Sequence, residues 1–378
     1  MNTLQDLTDY LSPVEPSYLN EDLEFNDGQY GKHIQVFDTA FPDLSTTDLV
    51  ILGVGDMRGA NPLSAPSNGP DLIRRAFYRM HCWHEDIRVA DIGNIKAGAT
   101  LADTIAAMKI TLTELTQAGK TALIIGGSHD LTLGQYETHK GLQQLIEAAC
   151  VDAFIDLKGD SVRRDENFLM DMLTGEPNYI RHYSHIGFQS FLVHPRLLET
   201  LDKLRFDCYR VGKVRETPEE MEPVIRSADI LSFDIQAIQH SFAPAQNASP
   251  NGFTGEEACL ISQYAGLSTA LKSYGIYGYQ PEQDVEGMTA QQIAQMIWYF
   301  IEGLYRKKME APFEETQSFN EYHTLLAEVD TRFLQSKRTG RWWMQMPDGQ
   351  FVPCSEKDYH TAGNNDIPER WLRIQERR

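Results

Sequence analysis

The chain of 378 residues has little cysteine, no long apolar run and no excess of positive charge. Its five cysteines, Cys82, Cys150, Cys208, Cys259 and Cys354, are scattered, odd in number and never spaced as Cys-x-x-Cys. That usage argues against a disulfide framework and against a structural zinc site, and it fits a reducing compartment. No apolar run approaches the roughly 20 residues of a membrane helix. Asp and Glu number 54 against 34 Lys and Arg, a net charge of −20. So acidic a chain is not expected to bind nucleic acid or an anionic membrane surface. Met1 to Asp6 is not basic and leads into no apolar stretch, so no secretory signal is expected and a cytoplasmic location is. Internal repeats and low-complexity segments are missing too.

What is present is core material. Hydrophobic residues make up 42%, enough at this length for one large α/β domain with additions, or for two domains. Short apolar runs alternate with helical signals. Strands are expected at Leu49 to Val54, Val89 to Asn94, Ala122 to Ile125, Val151 to Asp156, Asp207 to Gly212 and Asp229 to Asp234. Pro70 sits near the start of one helix, as helices prefer. Thr100 and Asp103 resemble a capping box opening another, which Gly119 ends. A helix of mixed polarity is expected from about Leu131 to Ala149. Thr217 and Glu220 read as a second capping box around Pro218. Thr289 to Gln292 reads as the cap of the last strong helix, whose Ile293, Met296, Ile297, Phe300 and Leu304 form one apolar stripe. The alternation implies a three-layer α/β/α domain with a mainly parallel sheet over residues 46–306. Residues 1–45 read as an N-terminal arm and residues 307–378 as a C-terminal extension.

Three of these strands end in groups that can hold a cation. Gly126 and Gly127 turn the chain sharply after Ile125, because glycine meets no Cβ penalty there. His129 follows, just past the carboxyl end of its strand, where open α/β sheets bind ligands. Val151 to Asp156 carries Asp152 and Asp156, and Asp234 ends a further strand. One imidazole and three carboxylates at one sheet edge suit Mn²⁺ or a similar divalent ion. Each group also has a plainer reading. A histidine after Gly-Gly is often a satisfied core residue, a strand-end Asp often caps a turn, and Asp156 could pair with Lys158 or Arg163.

Gly126-Gly127-Ser128-His129-Asp130 resembles the ureohydrolase signature Gly-Gly-Asp-His-Ser. Asp152-Ala153-Phe154-Ile155-Asp156 is similar to that family's Asp-Ala-His-x-Asp. The stretch from Ser232 to Pro244 is similar to Ser-Phe-Asp-x-Asp-x-x-Asp-Pro-x-x-Ala-Pro, and Pro250 to Glu257 to a family loop Pro-x-Gly-x-Thr-x-x-Glu. The family comprises arginase, agmatinase and formiminoglutamase. The resemblance covers roughly Asp48 to Tyr305. The stretch Ile186-Gly187-Phe188-Gln189 is similar to formiminoglutamase-like members and favours that branch.

Members of this family hold two Mn²⁺ ions, and they are often trimers or hexamers, so a homo-oligomer acting on a small-molecule substrate or ligand is implied. Carried over, the ligands of the first ion are His129, Asp152, Asp156 and Asp234. The second ion also needs a His and an Asp, and here those positions are Phe154 and Gln236. Phenylalanine ligates nothing, and a glutamine carbonyl is a poor replacement for a carboxylate. The Glu that holds the substrate guanidinium in the family falls on Gly278. The resemblance therefore implies at most one ion. It leaves two functions open: a single-ion hydrolase of a linear amidine or guanidine C–N bond, or an inactive scaffold kept for binding or assembly. A polar pocket without a metal stands beside the single-ion site as an equal alternative.

Other residues carry weaker signals. Asp130 and Asp160 are positional candidates for a general base, with solvated loop carboxylates as the plainer reading. Arg163 and Arg164 could meet a substrate carboxylate or simply form a solvated charge pair. Arg341, Trp342, Trp343 and Trp371 have the composition of an interface hot spot. The competing reading folds the extension back, so that its tryptophans fill a groove of the same chain.

Overall fold

A computed structural model describes residues 7–15, 25–246, 248–326 and 329–376. Ten strands build one sheet: β1 (Leu11–Ser12), β2 (Gln35–Val36), β3 (Leu49–Gly53), β4 (Val89–Ile95), β5 (Thr121–Ile125), β6 (Ile146–Val151), β7 (Ile180–Phe188), β8 (Asp207–Arg210), β9 (Ile230–Asp234) and β10 (Ser273–Tyr277). Their order is β1-β4-β3-β5-β10-β9-β6-β7-β8, with β2 also pairing β4. Every pairing from β4 to β8 is parallel, and β1 runs antiparallel to β4.

The apolar runs are strands because both faces of the sheet are covered. In β3, Leu49 and Ile51 pack with Ile73 and Phe77 of the Gly69–Tyr78 helix and Phe300 of the Met288–Lys308 helix. Val50 and Leu52 pack on the other side with Met108 and Leu112 of the Leu101–Gln117 helix. This is the three-layer α/β arrangement expected. Thr100 and Asp103 do form a capping box, and Gly119 beyond that helix has φ +70°.

Several boundaries differ from expectation. The mixed-polarity helix stops at Gly141, and Gln143 adopts φ +55°. Ile146 to Cys150 belong to β6 instead, because that strand is buried between β9 and β7. Asp152 to Asp156 consequently lies past the strand, in the loop. Thr217 makes no side-chain cap; Pro218–Glu220 is a short 3₁₀ turn before the Met221–Arg226 helix. Thr289 is inside the last long helix, whose cap position is Gly287. The arm contributes β1 and β2, which pair with β4.

The extension folds into β11 (Phe319–Leu326), β12 (Val329–Ser336), β13 (Trp342–Gln345) and β14 (Phe351–Cys354), an antiparallel sheet in that order, followed by the helices Glu356–Gly363 and Glu369–Glu376. Trp342 and Trp371 pack with Phe333 and Met344 on one face, and Trp343 with Leu334 and Phe319 on the other. Arg341 donates to the Leu267 carbonyl at 2.9 Å and pairs with Glu310 at 2.8 Å. These four residues are therefore buried within the chain and do not present a surface to a partner. Their aromatic area builds the extension's own core. The five cysteines are free thiols, and no helix among the described residues is long and apolar enough to cross a membrane.

Candidate metal centre

The strand order places four carboxyl ends side by side: β5, β10, β9 and β6. The turn after β5 uses Gly126 at φ +89° and Gly127 at φ +80°, and delivers His129 into a short 3₁₀ turn. Asp234 is the last residue of β9, and Asp152 follows β6 directly. Asp156 arrives from four residues further along the loop. All four side chains are buried.

His129 Nδ1 is the centre of this group. It lies 3.0 Å from Asp156 Oδ2, 3.5 Å from Asp152 Oδ2 and 3.5 Å from Asp234 Oδ2. Ligand atoms of His129, Asp152 and Asp234 all fall within 4.8 Å of one another, a spacing that one ion can bridge. The other ring nitrogen, Nε2, faces Ser232 Oγ at 3.3 Å and Cys150 Sγ at 3.7 Å. Phe168 packs edge-on to the ring at 4.8 Å. Nothing in the sequence singled out Cys150, Ser232 or Phe168, because only the pairing of β6 with β9 and the following loop bring them to His129.

The electrostatics follow from burial. It pushes Asp152 up to about 7, with the Asp156 charge adding to the shift. Burial and the Asp152 charge likewise push Asp234 up to about 7, and burial raises Asp156. For His129, burial opposes the charged ring, but Cys150, Asp152 and Asp156 outweigh it and hold the imidazole well above its ordinary value. Among the described residues no lysine or arginine forms an ion pair with these three carboxylates. Asp152 Oδ1 is buried without a partner.

The positions that depart from the ureohydrolase motifs surround this cluster. Phe154 is half-buried in the loop between Asp152 and Asp156. Gln236 donates from its backbone N–H to Asp234 Oδ1 at 2.8 Å and from its side-chain amide to Asp234 Oδ2 at 3.2 Å. Gly278, between β5 and β9, has φ +83°, and a Cβ there would run into Asp234 Oδ1. The backbone at this point is built for glycine, so replacing Gly278 by Glu would strain it.

The remaining candidates sort by environment. Asp160 is exposed. Asp130 is not a solvated loop carboxylate: it is fully buried under Gly59, neither oxygen has a partner, and burial with the Asp165 charge pushes it up to about 6. Arg163 donates to both oxygens of Asp165 at 3.1 and 2.7 Å, and Arg164 pairs with Asp171. Both arginines are thus engaged within their own segment.

This architecture has relatives. The arginase family model matches residues 47–302. A formimidoylglutamase from Hahella chejuensis is 25% identical over 258 residues, which cover 61% of this chain and 76% of that protein. Among solved structures, formimidoylglutamase from Bacillus subtilis superimposes with a TM-score of 0.66 at 18% identity, covering 76% of this chain and 97% of that one. Formiminoglutamase from Trypanosoma cruzi, solved with Mn²⁺, gives 0.65 at 16% identity over 74% and 99% of the two chains. The order of motifs, the fold and the family match agree, and the chain belongs to the arginase family.

Proposed function

We propose that the chain is a metal-dependent hydrolase of a linear amidine or guanidine C–N bond, formiminoglutamase-like, with a single ion held by His129, Asp152, Asp156 and Asp234. The observation that carries this reading is the buried cluster: three carboxylates within 3.5 Å of one imidazole nitrogen, with Asp152 Oδ1 unpartnered. Buried like charges of this density need a counterion or protons. A divalent cation supplies the first, and one imidazole with three carboxylates suits Mn²⁺. When bound, the ion would supply Lewis-acid chemistry. The chain's own residues prepare for it. Ser232 Oγ and Cys150 Sγ occupy the Nε2 side of His129, leaving Nδ1 turned to the carboxylates; such outer contacts fix the orientation of a ligating imidazole. The names of the Hahella chejuensis and Bacillus subtilis relatives support the substrate class, and the Trypanosoma cruzi structure supports the metal.

A second reading rests on one observation. The Gln236 amide already donates to Asp234 Oδ2, the oxygen that lies 3.5 Å from His129 Nδ1, and Gly278 leaves no carboxylate for a guanidinium. On that reading the scaffold binds a small molecule or assembles without turnover. The deciding measurement is metal content per chain by elemental analysis after dialysis against Mn²⁺, beside His129→Ala. One ion, lost in the control, together with turnover of a formimino or guanidino substrate, is the expected result. One ion without turnover of either favours the inactive scaffold. No ion rules out the hydrolase, and two ions overturn the single-ion assignment.

A further inference from the structure

The outer strand of a sheet leaves backbone groups without neighbours, and such an edge pairs readily with another chain. Most edges in this chain are blunted. The large sheet ends in β1 and β2, of two residues each, and in β8, of four. In the C-terminal sheet, β14 has four residues, includes Pro353, and its Cys354 carbonyl accepts from Arg226. The other edge of that sheet, β11, is different. It runs for eight residues, in unbroken register with β12 and with no strand on its far side. It contains no proline and no lysine, the residues that usually protect an edge.

The direction of its free groups follows from one bond. Just before the strand, Lys337 N–H donates to the Ser318 carbonyl at 2.9 Å. Antiparallel alternation from that pair turns the backbone of Asn320, Tyr322 and Thr324 toward β12. The backbone of Glu321, His323 and Leu325 therefore points outward, and no hydrogen bond among the described residues meets it. The side chains of this edge are self-complementary. An antiparallel second copy, related by a two-fold axis at Tyr322, sets Glu321 opposite His323 of the copy and Leu325 opposite its Phe319. Moving the axis one residue either way sets Glu321 on Glu321 or His323 on His323. Leu325 is 64% exposed, and Phe313, which packs on Phe319, is 42% exposed. The Tyr322 register covers both.

We propose that β11 is a homodimerisation edge, at which two copies join their four-stranded C-terminal sheets into one continuous antiparallel sheet. The arginase family match ends at residue 302, so this contact belongs to the addition and not to the matched domain. The test is light scattering coupled to size-exclusion chromatography of the full chain at about 100 μM, beside His323→Pro. Proline there removes one outward N–H and leaves the ladder to β12 intact. The native assembly is expected to hold an even number of copies, and the folded variant to have half its mass. If His323→Pro does not fold, Leu325→Lys, a change at an exposed position, decides by the same criterion. A monomer or an odd number of copies in the native chain overturns the proposal. So does a deciding variant that folds and does not halve the mass.

Discussion

Gln236 turns the nitrogen of its side chain toward Asp234, where a carboxylate would turn an oxygen toward a cation. A residue type therefore tells which chemistry a position has lost, while its hydrogen bonds tell what replaced it. Titrating residues away from the centre obey the same environment rule. His139 is buried, and burial holds its pKa below the ordinary value against a contact with Gln144. The unfolded chain takes up a proton on this ring near about 6.5, while the folded chain does so only at lower pH. The unfolded state thus binds the additional proton in that window, and stability falls as pH drops through it. His139→Gln keeps a donor for Gln144 but cannot titrate. The unfolding free energy of the native chain relative to this variant should shrink on going from about pH 7.5 to about pH 5.5. A constant difference in urea titrations would refute the assignment.

At the scale of elements, strand β4 is tied to the Gly69–Tyr78 helix by a buried ion pair. Arg74 donates through Nε and Nη2 to the two oxygens of Asp91 at 2.8 and 2.9 Å, and Tyr78 adds a third hydrogen bond to Asp91 at 2.9 Å. Arg74 also reaches Asp71 and the Gly93 carbonyl. With Arg74 and Asp91 both fully buried, Arg74→Met leaves the Asp91 charge uncompensated, at an expected cost of about 3–5 kcal/mol. Chemical denaturation measures it. A second change, Asp91→Leu, should recover part of the loss, because two charges are then removed together. The same scale explains which boundaries could be read. Thr100 and Asp103 lie within four residues, so their capping box is local and legible. The end of the helix at Gly141 is not, because the pull on Ile146 to Val151 comes from β9 and β7, strands far away in sequence.

At the scale of the molecule, the C-terminal module is docked by buried polar and aromatic contacts. The Arg226 guanidinium stacks over Trp343 at 4.5 Å while donating to the Trp342 carbonyl. Arg341 joins the Leu267 carbonyl and Glu310. Ending the chain after Lys308 would bare the surface that receives Trp343 and leave Glu222 and Arg226 without their cover. Such a truncation should lower the melting temperature and drive self-association, as read by calorimetry and size-exclusion chromatography. A monodisperse fragment melting with the full chain would show that the module is an independent appendage. The parallel α/β domain is legible in short, continuous apolar runs, bounded by turn residues and alternating with helical signals. His129, Asp152, Asp156 and Asp234 can be named as cation-binding candidates from the chain alone, because they stand in short motifs. That the tryptophans of the extension face inward, that Asp130 is buried without a partner, and that a cavity opens beside Arg226 are facts of packing. Each of those depends on what packs opposite, and no local pattern of residues encodes the opposite wall.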